Sequence, residues 1–214
     1  MPKQTPQKRW TRQPEERPEQ ILDAALRVFR ARGFAQTRMD DVANEAGISK
    51  GTIYLYFKGK TALLEALIER AMAPVAEQLK TMAAAAPSGP VAPLLRAMLG
   101  FAATRLADPD AAAVPLLVID EAGRFPHLAQ HYRQRVIEVG LGAVTSLVER
   151  ALRAGEFRSL DPALAARSLV APILLQAIWN SVFARPGDAP IDPHMLVEQH
   201  LDIFLHGAQA GAGS

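Results

Sequence analysis

Between Thr37 and Phe57 the chain carries two short sets of apolar residues at helical spacing, with Gly47 between them. Val42, Ala43 and Ala46 recur at steps of three and four before the glycine, and Ile53 and Phe57 stand four apart after it. Residues four apart share one face of a helix, so each set describes a helix of two or three turns. Neither helix can bury its stripe alone. A tight glycine turn lets two such helices cross at a wide angle and share a core, with Ile48 placed to plug it. Ser49 is set to cap the second helix, and Thr37 with Asp40 three residues on has the form of a capping box for the first. The first is expected to run to about Ala46.

The same periodicity covers the rest of the chain. Ile21, Leu22, Ala25, Val28 and Phe29 define one face of a helix that starts near Glu19 and stops at Gly33. A long helix starts near Lys60 with Leu63, Leu64, Leu67, Ile68 and Met72 as its stripe. Pro74 falls inside it, so it either kinks or restarts there, and a kinked helix to about Ala85 is the expectation. Pro87 to Pro90 makes a break. Asp108-Pro109, Asp161-Pro162 and Asp192-Pro193 are start signals, an N-cap followed by proline in the first turn. Phe125-Pro126 punctuates, and 127–154 forms one long segment. The helix over 164–184 is apolar almost all round, so burial on several sides is expected. No strand alternation is seen. The fold class is therefore all-α, about nine helices. A helix-turn-helix unit spans 18–62 and a larger helical unit spans 63–207, between a disordered basic arm at 1–17 and a flexible tail at 208–214.

Charge is uneven. Residues 1–60 hold 12 Lys and Arg against 7 Asp and Glu, and the remainder holds 12 against 15. A basic front suggests that the front meets a polyanion. The arm, with Lys3, Lys8, Arg9 and Arg12 around Trp10, either reaches a minor groove or stays a solvated tail. Cysteine is absent, which removes disulfides, thiolate metal sites and a cysteine nucleophile. There is no signal core and no uninterrupted run of ~18 apolar residues, so a cytoplasmic chain with no membrane span is expected.

The second short helix exposes Lys50, Gly51, Thr52, Tyr54 and Tyr56, all small or donor-bearing, and a major groove is wide enough to take such a helix. Its N-terminus favours phosphate, and the tyrosine hydroxyls and Lys60 can donate to phosphate oxygens. The run Gly47-Ile48-Ser49-Lys50-Gly51-Thr52-Ile53-Tyr54, followed by Tyr56-Phe57 and Lys60, closely resembles the DNA-binding domain of the TetR family of transcriptional regulators. The resemblance covers about 18–66 and reaches the rest only as a general plan of helices. A shorter likeness, Val-Ile-Asp-Glu-Ala-Gly-Arg-Phe-Pro within 117–128, is to one branch of that family. The resemblance implies that 49–57 is the recognition helix. Ser49, Lys50, Gly51 and Thr52 would then lie at its leading end, Tyr54 and Tyr56 would face DNA, Thr37 and Arg38 would begin the preceding helix, and Lys60 would open the fourth helix against phosphate. One departure is Gly59-Lys60-Thr61-Ala62, where many relatives carry an acid after the lysine.

The back half holds more apolar helix than one bundle surface needs, so a pocket between helices is inferred. Its candidate lining is Met98, Phe101, Arg105, Leu117, Glu121, Tyr132, Gln176, Trp179 and Phe183. The helices over 164–183 and 195–205 are the candidate two-fold interface, from the resemblance and from their surplus of apolar faces. His127 and His131 are four apart, but no third ligand is evident, and His194, His200 and His206 share no face. No nucleophile motif, phosphate loop, cofactor motif or acid pair marks a catalytic centre. The reading is a homodimeric repressor released from a near-palindromic double-stranded DNA operator by a small-molecule effector. An activator or ligand-independent regulator of the same fold, and a helical enzyme or carrier, are the alternatives.

Overall fold

A computed structural model of the chain describes residues 17–85 and 89–208. Nearly all of the basic arm, most of the tail and part of the 87–90 break therefore lie outside the described residues. Among those described there are helices and no β-strand, and the chain divides after Lys60 into two compact units.

The first unit holds α1 (Arg17–Arg32), α2 (Met39–Glu45) and α3 (Lys50–Tyr56). The face of α1 that the periodicity picks out, Ile21, Leu22, Ala25, Val28 and Phe29, is buried. Gly33, at φ 78°, ends α1, and its N–H returns to the Phe29 carbonyl at 2.8 Å. The start of α2 differs from the expected capping box. Arg38 is the N-cap residue, and its backbone N–H donates to Asp41 Oδ2 at 2.9 Å, so Asp41 does the work assigned to Asp40. Thr37 is turned inward, 2% exposed, with its hydroxyl donating to the Gly33 carbonyl at 2.7 Å.

Gly47 sits at φ 66°, the left-handed region that a side chain disfavours. Its N–H reaches the Asn44 carbonyl at 3.1 Å, and that of Ile48 reaches the Ala43 carbonyl at 2.9 Å. This pair of bonds is the Schellman ending, which satisfies the last carbonyls of α2 while reversing the chain. Ser49 then caps α3 by accepting from the Thr52 N–H at 3.1 Å. Two surface ion pairs, Arg27–Glu45 at 2.7 Å and Arg32–Asp41 at 2.8 Å, run from α1 to α2. Exposed pairs of this kind stabilise by well under about 1 kcal/mol each; buried Phe29, Phe34, Val42 and Ile53 hold the unit together.

The second unit contains α5 (Ala73–Ala84), α6 (Ala92–Ala107), α7 (Pro109–Glu121), α8 (Pro126–Tyr132), α9 (Glu138–Arg153), α10 (Pro162–Ile178) and α11 (Pro193–Ala208), and α4 (Lys60–Ala71) leads into it. Instead of one helix kinked at Pro74, the chain breaks at Met72 and restarts, which puts Pro74 in the first turn of α5, where no intrahelical donor is needed. The three Asp-Pro signals all open helices. Asp108, Asp161 and Asp192 accept from the N–H groups of Asp110, Leu164 and His194 at 2.8–2.9 Å.

Two π-helical turns interrupt the long segments, Arg133–Ile137 between α8 and α9 and Trp179–Phe183 after α10. Each inserts an extra residue into the helical repeat and rephases the face that follows. The core is drawn from α5, α6, α9, α10 and α11, with Leu95, Met98, Leu99, Val144, Leu147, Val148, Leu169, Ile173, Val197 and Leu201 at its centre. Pro172 in α10 has no N–H to offer the Ser168 carbonyl one turn back. His200 of α11 faces the carbonyls of Ser168 and Leu169 there. Burial holds this imidazole below its ordinary range, against the pull of those carbonyls toward the protonated ring.

The helix from Pro162 to Phe183 is long and apolar enough, by composition alone, to cross a membrane, although Arg167 and Ser168 interrupt its apolar run. Its two faces explain this. Ala165, Ala166, Leu169, Ile173 and Ala177 are buried in the core. On the opposite side Leu164, Ala171, Leu175, Trp179 and Val182 form a second apolar stripe, open to solvent. Burial on several sides is therefore not what the single chain shows: one apolar face is packed and the other is bare.

Candidate nucleic-acid interface

At 100° per residue, the side of α3 opposite buried Ile53 is centred between Gly51 and Leu55, at about 160° and 200°. Thr52 and Tyr54 flank that line, and Lys50 and Tyr56 lie nearer the protein. Exposure follows the wheel: Leu55 is 83% exposed, Tyr54 46% and Tyr56 39%. Leu55 carries no donor, the chemistry that marks the other residues of this face in the sequence, but its place opposite Ile53 follows from the helical repeat. An outward leucine suits the apolar contact that a thymine methyl offers. A Cβ on Gly51 would meet only Ser49 Oγ at 3.8 Å, so packing does not demand a glycine; its effect is to keep the leading edge of α3 low.

The polar groups around this face are already arranged. Ser49 Oγ and Thr52 Oγ1 share a hydrogen bond of 2.8 Å, which fixes the Thr52 rotamer. Lys50 Nζ donates to Asp40 Oδ2 at 3.0 Å, and that hydrogen bond raises the lysine above its ordinary value. Arg38 is exposed at the start of α2.

Two expected contacts have other employment. Thr37 is buried, as described, and cannot present its hydroxyl outward. Lys60 Nζ donates to the carbonyls of Phe34 and Ala35, both at 2.8 Å, and lies 4.8 Å from the Phe34 ring centroid. The lysine expected against phosphate instead closes the loop between α1 and α2. A cation satisfied by two carbonyls and an aromatic face is a tertiary outcome that spacing does not reveal.

The candidate pocket residues divide. Met98 and Glu121 are buried, and Phe101, Leu117, Tyr132 and Gln176 are half-buried. Burial pushes the Tyr132 phenol above its ordinary range. Arg105 is exposed on α6, so it does not line an interior pocket. Trp179 and Phe183 are also exposed, at 51% and 55%, their rings 5.7 Å apart, and they belong to the bare stripe. Trp179 follows Leu175 at the four-residue step of the bare stripe, and the π turn that begins there keeps Phe183, four residues on, beside it. Among the described residues no group of three His, Cys, Asp or Glu could hold a metal ion.

Near the end of α4, Glu69 takes a two-pronged bond from Arg135 in the first π turn, Nε at 2.7 Å and Nη2 at 2.8 Å. His131 Nε2 stands 3.0 Å from the same carboxylate. The Arg135 hydrogen bonds hold Glu69 below the usual carboxylate range. A lowered carboxylate contributes stability above its unfolded value, about 4.3, and loses it as pH falls through the folded value. Glu69→Gln should therefore lower Tm by up to roughly 2–4 °C at neutral pH, given the partial exposure of the pair. The gap should stay constant above about pH 5 and close in more acid solution. Thermal unfolding of both proteins across that range checks this; a gap that widens on acidification contradicts it.

Residues 21–67 match the sequence profile described as bacterial regulatory proteins, tetR family. Residues 93–207 match that of the AefR-like transcriptional repressor C-terminal domain, so the likeness extends well beyond the helix-turn-helix. The fatty acid metabolism regulator protein of Bacillus subtilis is 39% identical over 61 residues, 28% of this chain and 31% of its own length. The regulator TtgR of Pseudomonas putida is 44% identical over 50 residues, 23% and 24% of the two chains. The match thus spans less than a third of either relative. Among solved structures, SmeT, the repressor of the Stenotrophomonas maltophilia multidrug efflux pump SmeDEF, has a TM-score of 0.70 at 25% identity, covering 91% of both chains. A structure of the SmeT–triclosan complex reaches 0.75 at 25% identity over 92% and 93%. The FadR fatty acid degradation regulator of Bacillus halodurans, at 24% identity and TM-score 0.73 over 92% and 98%, shares the fold.

Proposed function

The chain belongs to the tetR family of bacterial regulatory proteins, and on that footing we propose that it is a dimeric DNA-binding repressor, released from its operator by a small-molecule effector. The observation that carries the reading is the outward face of α3, where Gly51, Thr52, Tyr54 and Leu55 project from a helix anchored by fully buried Ile53. A face that is low at its leading end, with an outward leucine behind it and donors on its flanks, can enter a major groove and meet base edges. Lys50 and Tyr56, nearer the protein, and Arg38 at the start of α2, would take the phosphates. Residues 18–62 would be the DNA-reading unit. Residues 63–207 would bind the effector and pair the two copies through the bare stripe of α10 and the exposed side of α11.

A two-fold dimer sets two α3 helices in successive major grooves, ~34–36 Å apart on one side of the duplex, so the operator should be nearly palindromic. An effector would weaken the complex only through its preference for a dimer whose two reading helices no longer match that spacing. The capture of triclosan named for SmeT supports a small organic molecule as the ligand class. Such a regulator works in the cytoplasm, where its DNA is. The test is selection of duplexes from a random pool, followed by footprinting. The expected result is a near-palindrome with two protected patches one helical turn apart. Failure to retain any duplex at low salt defeats the proposal.

A further inference from the structure

The buried face of α7 is apolar until its last residue. Ala111, Val114, Pro115 and Val118 come at three- and four-residue steps, and Glu121 takes the next place on that stripe. Glu121 is 2% exposed, and its Oε2 has no hydrogen-bond partner among the described residues. Burial strips a carboxylate of water without replacing the lost hydrogen bonds. It also stands in the last turn of α7, at the negative end of the helix dipole. Arg105 of α6 and Arg124, three residues after Glu121, are both exposed. A leucine would fill the same place without the electrostatic penalty, so packing gives no reason for an acid there.

An acid sealed from solvent, with one carboxylate oxygen left without a donor and at the wrong end of a helix dipole, has the properties of a receptor for a donor that arrives from outside. We propose that Glu121 anchors the effector, and that the effector is an apolar or aromatic molecule bearing an amine or similar cationic N–H group. This rests on the reading of the chain as an effector-controlled regulator. The amine supplies the missing donor and the missing positive charge in one group, and a charge-assisted hydrogen bond is at its strongest where water is excluded. A molecule that reaches Glu121 would bring its body against Val118 and the apolar stripe of α7. A neutral or anionic molecule of the same shape would make that apolar contact but leave Oε2 without its donor.

Three probes of one shape test this: 1-naphthylmethylamine, 1-naphthalenemethanol and 1-naphthoate, titrated calorimetrically into the full-length protein and its E121Q variant. The amine should bind wild type at least tenfold more tightly than the alcohol or the carboxylate. E121Q should lose at least tenfold in amine affinity while changing little for the alcohol, and the ligand-free variant should unfold no lower than wild type. Equal affinities for the three probes, no binding of the amine, or amine affinity unmoved by E121Q overturns the assignment. If E121Q does not fold, the ranking of the probes on wild type decides. Operator binding by wild type is measured alongside. Its failure strikes the regulator reading, whereas intact operator binding without a preference for the amine strikes the role of Glu121 alone.

Discussion

Truncating the outward face of α3, as Thr52→Ala with Tyr54→Ala, should cut operator affinity by about a hundredfold or more and leave the melting temperature nearly unchanged. Each good base-edge contact discriminates by about 1–3 kcal/mol, and a dimer loses every contact twice. Neither side chain belongs to the core: Tyr54 is 46% exposed, and the Thr52 hydroxyl bonds to the exposed Ser49 hydroxyl. Ile53→Ala is the opposite case. Ile53 is fully buried in a three-helix unit with few large side chains, so its truncation should cost about 2–5 kcal/mol and lower the melting temperature. Lys50→Ala should behave in a third way. It should weaken binding to all duplexes alike and reduce the salt slope by about one per half-site, the signature of a lost phosphate contact. Electrophoretic titration on operator and scrambled duplexes at several salt concentrations, with thermal unfolding alongside, separates the three. Unchanged operator affinity in the Thr52/Tyr54 variant would remove α3 from the interface.

Placing acids on the bare stripe of α10, as Leu175→Glu with Val182→Glu, should convert the protein to a monomer. Leu164, Leu175, Trp179 and Val182 fall within a narrow sector of the helix, opposite the face buried in the core, and are 51–62% exposed. Met195 and Ile203 on α11 add 59% and 74% exposed apolar side chains. A two-helix patch of this kind, paired with its copy, makes a four-helix interface. Two glutamates per copy would set four like charges in a desolvated seam. Juxtaposed like charges cost several kcal/mol, so the dimer dissociation constant should rise by about a thousandfold or more. Sedimentation should show a monomer at micromolar concentration, with the helical content retained because neither residue faces the core. Operator affinity should fall with it, since two linked half-sites exceed one by about 10²–10⁴ in avidity. A variant that remains dimeric would place the two-fold axis elsewhere.

How much of this was open to a reader of the sequence depends on how far each signal reaches along the chain. The helix starts at Pro109, Pro162 and Pro193, the reversal at Gly47 and the Ser49 cap were all legible. Each is decided within about four residues, by a fixed proline φ, a left-handed glycine or a side-chain oxygen within reach of an N–H. The outward placement of Tyr54 and Leu55 follows from the same arithmetic once Ile53 is known to be inside. The N-cap of α2 lies one position beyond Thr37, because Thr37 is drawn inward to the Gly33 carbonyl, and the chain breaks at Met72 because a proline can open a new helix as readily as kink an old one.

The amino-acid order alone therefore settled an all-helical chain, the turn that sets α2 against α3, and the side of α3 that faces outward, since local backbone preferences and a 3.6-residue repeat suffice for these. Only the tertiary structure decided that Lys60 is spent on the Phe34 and Ala35 carbonyls, that Thr37 is interior, that Trp179 and Phe183 are outside, and that Glu121 is sealed in. The reason is physical. Whether a polar or apolar side chain is covered depends on which distant helix lies over it, and a π turn of one extra residue rotates the face that follows by about 100°.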